Sequence, residues 1–131
     1  MVDNDELVGR KVGEYVLLEP FDEGGFGRVY RCRQATLDRE AVVKVLHHRL
    51  RSRDIQIQRF LREAQLASRL DHPYAAHIYA FGAEHDGLLW IAMEFVQGIT
   101  LKRWLRDHGP MPLKQFVPFF EYVAEVVQTA H

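Results

Sequence analysis

Gly24, Gly25 and Gly27 fall within four residues of one another in the run Phe21-Asp22-Glu23-Gly24-Gly25-Phe26-Gly27-Arg28-Val29-Tyr30. Glycine lacks the Cβ that keeps a backbone away from a ligand, and it tolerates tight turns whose N–H groups converge on an anion. The flanking segments, Tyr15 to Leu18 and Val29 to Arg33, are rich in β-branched and aromatic residues with rough alternation, which predicts strands. The glycine run therefore joins two strands as a hairpin. A dinucleotide-binding fingerprint or a Walker loop would instead open a helix, and the second also needs Gly-Lys-Ser/Thr, which this loop lacks.

Downstream, Lys44 lies in Ala41-Val42-Val43-Lys44-Val45-Leu46, a third strand-like run. Side chains two apart on a strand share a face, so Lys44 starts from the apolar company of Val42 and Leu46, where an unpaired ammonium is costly. A helix is expected from Asp54 to Leu70, with Asp54 capping it and complementing its dipole. At 100° per residue Phe60, Ala64, Ala67 and Leu70 form its buried stripe, and Glu63 falls between Ala67 and Leu70, aimed at the core. Glu63 is thus the expected partner of Lys44. The basic connector His47 to Arg53 between them reads as a solvated loop.

This order of landmarks resembles the small lobe of the eukaryotic-like protein kinases, most of all the bacterial serine/threonine kinases, from about Val12 to the end of the chain. Val29 follows the loop, Lys44 stands on the third strand, Glu63 in Phe60-Leu61-Arg62-Glu63-Ala64, and Leu70-Asp71-His72-Pro73 closes the helix. Leu88 to Gly98 looks like the fifth strand and hinge, with Met93 in the gatekeeper place. The resemblance implies an α+β fold: a five-stranded antiparallel sheet with one long helix, followed by two helices. It divides the chain into a polar leader (1–11), a small lobe (12–96), and a hinge with the first two helices of a large lobe (97–131). By resemblance, Gly24, Gly25, Phe26 and Gly27 cover the phosphates of ATP, Lys44 holds the α- and β-phosphates, and Glu63 orients Lys44. Val29, Val42 and Met93 line the adenine slot, and the backbones of Glu94 and Val96 face the adenine edge. Thr100 is expected to cap the helix after the hinge, and His72 to make a structural hydrogen bond at a turn.

Two positions depart from the family pattern. Asp22 stands where the family has its first loop glycine, placing a carboxylate beside the phosphates, and Val42 replaces the alanine two residues before the lysine, adding bulk toward adenine. Weak ATP binding is expected. The His-Arg-Asp base, the metal-binding Asn and the Asp-Phe-Gly aspartate are not among the 131 residues, so the chain alone is expected to be inactive, with magnesium bound only in a complete kinase. Two accounts stay open, a portion of an active kinase and a naturally short, catalytically dead module that regulates a protein partner.

A net charge of −1 offers no general field for nucleic acid or an acidic membrane. The single cysteine, Cys32, excludes an internal disulfide, and the N-terminus lacks the basic and apolar regions of a signal peptide, which suggests a cytoplasmic protein. No uncharged apolar stretch has the roughly 18 residues of a membrane span. The seven histidines lack ligand spacing, and no metal site is expected. Phe116, Phe119, Phe120, Val123, Val126 and Val127 give the last helix a broad apolar face, while Pro118 should kink that helix or delay its start. Residues 112–131 are expected either to pair with another copy or to fold back over the small lobe.

Overall fold

A computed structural model describes residues 6–23, 27–46 and 54–130, which form two compact units. The first unit takes residues up to Arg69 together with His77–Phe95, and the second takes Leu70–Ala76 with Val96–His131.

In the first unit β1 (Lys11–Val12), β2 (Tyr15–Glu23), β3 (Gly27–Gln34), β4 (Arg39–Leu46), β5 (Ile78–Ala83) and β6 (Leu89–Glu94) form one antiparallel sheet in the order β1-β2-β3-β4-β6-β5. The sheet thus has six strands rather than five. The addition is β1, two residues folded back on Tyr15 and Val16 through Gly13, whose φ of 55° lies in the left-handed region. Consequently Lys44 sits on the fourth strand and Met93 on the sixth.

Strand parity divides the sheet into two apolar faces. One face carries Tyr15, Leu17, Tyr30, Cys32, Ala41, Val43, Trp90 and Ala92, all in a single buried cluster. The opposite face carries Leu46 and Ile91, which pack with Phe60 and Ala64 of α1 (Asp54–Ser68), flanked by Ile57, Ile78, Leu89 and Met93. Phe60 and Ala64 therefore bury as the helical wheel requires, while Ala67 is only partly buried and the helix stops at Ser68, two residues earlier than its periodicity suggested. Asp54 is the first helical residue rather than the cap before it, and its charge complements the dipole from within the first turn.

The sheet also curls, because its edges meet. Arg10, just before β1, donates to both carboxylate oxygens of Asp86 at 2.8 and 3.0 Å, and the Gly13 amide donates to Glu84 Oε1 at 2.7 Å. Both acceptors belong to the β5–β6 turn, at the far end of the strand order.

In the second unit, α2 (Leu101–His108) starts at Thr100, whose hydroxyl accepts the Arg103 amide at 3.1 Å, and ends at Gly109, whose amide donates to Leu105 O at 2.7 Å. Thr100 is thus a cap. α3 (Leu113–Ala130) runs through Pro118 without a delayed start, since the Gln115 and Phe116 amides already donate to the Pro112 carbonyl. His72 accepts the Tyr74 amide on Nδ1 at 3.1 Å and approaches Glu125 with Nε2 at 3.5 Å, the turn contact its sequence context suggested. No residue of α3 is buried. No helix is long and apolar enough to cross a membrane, and no metal-binding cluster occurs, among the described residues.

Candidate functional site

Register places the polar residues of the first unit before any helix is considered. β3 and β4 pair with Val29 opposite Lys44 and Arg31 opposite Val42, while β4 and β6 pair with Lys44 opposite Ile91 and Val42 opposite Met93. Directly opposed residues of an antiparallel pair share a face. Val29, Lys44 and Ile91 therefore form one row across three strands, and Arg31, Val42 and Met93 form the next. Three of the expected slot residues, Val29, Val42 and Met93, thus lie on the face that carries Lys44, and it is the face on which α1 packs.

Lys44 is the polar interruption in a buried stretch that runs from Ala41 to Leu46, and its side chain is only 18% exposed. Its Nζ lies 3.3 Å from Glu63 Oε1. Glu63, however, is 55% exposed, so the carboxylate rises over the sheet from the margin of the helix rather than aiming into the core. The reason lies in the packing, because Phe60 and Ala64 take the centre of the contact and leave Glu63 at its edge. A half-solvated ion pair contributes roughly 0–1 kcal/mol to stability. Its structural effect is to fix the direction of the ammonium.

Arg31 extends the charged pattern along the same face, reaching Glu19 at 3.1 Å and Glu40 at 3.4 Å. At the end of β6, Glu94 bonds to His77 through backbone and side chain, and the following Phe95 meets Phe21 of β2 edge to face at 5.7 Å between centroids. Phe21, Phe95 and His77 were missed by sequence reasoning. Phe21 had one available signal, a large apolar residue directly before the glycine run. Gly24, Gly25 and Phe26 lie outside the described residues, as do the side chain of Asp22 and residues 47–53. Gly27 opens β3 opposite Leu46. Val96 lies in the second unit and is exposed.

Such an arrangement offers a cation held by a carboxylate on an apolar strand face, which suits a phosphorylated ligand with a flat apolar body. The protein kinase domain family matches residues 15–131. The chain is 40% identical over 130 residues to the serine/threonine-protein kinase pkn3 of Myxococcus xanthus, an overlap covering 98% of this chain and 24% of that protein. It is 37% identical over 126 residues to serine/threonine-protein kinase PrkC of Bacillus subtilis, covering 95% and 19% respectively. The crystal structure of the Mycobacterium tuberculosis PknI kinase domain superposes with a TM-score of 0.78 at 29% identity, over 94% of this chain and 51% of that one. The chain therefore spans less than a quarter of the length of these two curated relatives and about half of that kinase domain. Fold, Lys44–Glu63 geometry and sequence agree, and the chain belongs to the protein kinase domain family.

Proposed function

We propose that this chain is the ATP-binding portion of a protein serine/threonine kinase, in which the complete enzyme transfers the γ-phosphoryl group of ATP to a protein hydroxyl. The observation that carries this reading is the 3.3 Å contact between Lys44 and Glu63. Lys44 would bind the α- and β-phosphates as a point charge, Glu63 would hold its ammonium in place, and Gly24, Gly25, Phe26 and Gly27 would cover the phosphates with backbone N–H groups. Val29, Val42 and Met93 would enclose the purine, with the Glu94 carbonyl and the Val96 backbone on its polar edge. Magnesium enters only with the carboxylate and amide ligands of a complete kinase. Transfer also requires a base, and neither the base motif nor the metal ligands occur in these 131 residues. On its own the chain binds nucleotide weakly and transfers no phosphate, and we place it in the cytoplasm.

Isothermal calorimetry with ATP tests this. Binding to the parent chain that disappears in Lys44→Ala and weakens in Glu63→Gln supports the reading, whereas affinity indifferent to both substitutions refutes it.

Association through residues 112–131 is the accompanying proposal. It is supported by the exposed apolar side chains of α3, where Tyr74, Phe119, Tyr122, Val123, Val126 and Val127 line an open hollow of about 410 Å³.

A further inference from the structure

We propose that His77 is a positioning residue for purine recognition, acting through Glu94; the inference rests on the nucleotide reading above. Glu94 is the last residue of β6. Its amide donates to the His77 carbonyl at 2.8 Å, and its Oε1 accepts the His77 amide at 3.2 Å and lies 3.2 Å from His77 Nδ1. A carboxylate oxygen only accepts, so Nδ1 carries the proton in this contact. On its other side Glu94 is in register with Ala41, a fully buried residue of β4.

What makes these bonds more than a strand end is the irregularity beside them. The β5–β6 ladder shifts register between Ile78 and Ala80, and a bulge of this kind normally loosens or ends pairing. Past it the junction keeps the Ile78–Met93 pair and the backbone bond from the Glu94 amide to the His77 carbonyl before the strands part. The carboxylate of Glu94, closed back on the His77 amide and ring, adds a side-chain tie at this last joined position. It therefore fixes the peptide from which the chain leaves the sheet.

His77 and Glu94 side chains are 48% and 41% exposed, and so solvated an interaction adds little to global stability. Its local effect is larger, because a carbonyl that reads the purine must be held at one angle. The imidazole restrains the side chain and, through it, the Glu94 peptide that would accept the purine 6-amino group.

The test compares ATP with inosine triphosphate, which has an oxo group in place of that amino group, by calorimetry on the full chain and on Lys44→Ala, His77→Ala and His77→Asn. Asparagine can return an N–H close to the Nδ1 position. His77→Ala should lose about three- to tenfold in ATP affinity, the worth of one hydrogen bond, with inosine triphosphate affinity nearly unchanged and the same melting temperature. His77→Asn should restore most of the preference. Equal losses for both nucleotides, or no loss for either, would overturn the role of His77 while leaving the nucleotide reading intact. A parent chain that binds neither nucleotide, or whose binding survives Lys44→Ala, would overturn both.

Discussion

The indole of Trp90 occupies the space that a side chain at Gly13 would need: a Cβ built there would lie 2.7 Å from Cζ2 of the ring. Gly82 faces the same indole, with its Cβ position 2.8 Å from Cζ2. One tryptophan thus fills the seam where the β1 and β5 edges of the sheet approach, and both glycines exist to admit it.

Gly82→Ala should therefore destabilise the first unit. Trp90 is 7% exposed within the main cluster and has little room to recede. Overpacking of this kind costs about 1–3 kcal/mol. Urea denaturation should show a lower midpoint with an unchanged slope, and Trp90→Phe in the same chain should recover part of the loss. A midpoint equal to the parent's would mean that the seam yields freely.

Cys32 gives a prediction on the alkaline side. Burial pushes its thiol from 9.0 up to about 12. The folded state thus keeps its proton where the unfolded chain releases it, so the contribution to stability is complete below pH 9 and is lost progressively as pH rises from about 9 to 12. Stability measured across that window should fall less steeply in Cys32→Ala than in the parent, although the variant starts lower because a buried side chain is truncated. Parallel curves would contradict this assignment.

The Lys44–Glu63 pair was legible in the sequence because two local periodicities, two on a strand and 3.6 on a helix, each singled out one charged residue on an apolar face. The sheet faces followed from the same alternation. Long-range closure was not legible. β1 is too short to show a period, and Gly13, Gly82 and Trp90 declare their relation only when the sheet curls and brings β1 to the β5–β6 turn. His77 was hidden for a similar reason, since its carboxylate partner lies 17 residues away across a bulge. The exposure of Glu63 depended on how Phe60 and Ala64 share the contact, which a helical wheel places in angle but not in depth.

Val42 is buried directly opposite Met93, so its two methyl groups serve the fold and, under the proposed function, narrow the purine slot. Val42→Ala should affect the two in opposite directions. Loss of buried methyls lowers stability by about 1–2 kcal/mol. At the same time ATP should bind several-fold tighter, a factor of ten corresponding to about 1.4 kcal/mol. Thermal unfolding and calorimetry on the same preparation separate these effects. Unchanged or weaker binding would show that Val42 does not crowd the nucleotide.

The last prediction concerns α3, whose Phe116, Phe120, Val123 and Val127 are all exposed, with Phe116 and Phe120 stacked at 5.3 Å between centroids. Apolar side chains displayed together along one helix mark an association surface or an aggregation liability, each worth roughly 1.5–3 kcal/mol on full burial. Light scattering of the full chain should therefore show a mass that rises with concentration. Val123→Lys and Val127→Lys place charges on the same surface without disturbing a buried residue, and together they should hold the chain monomeric. A chain ending at Gly109 should behave in the same way. If the parent stays monomeric at high concentration, α3 is not a self-association surface, and if the lysine variants associate as strongly as the parent, the contact lies elsewhere.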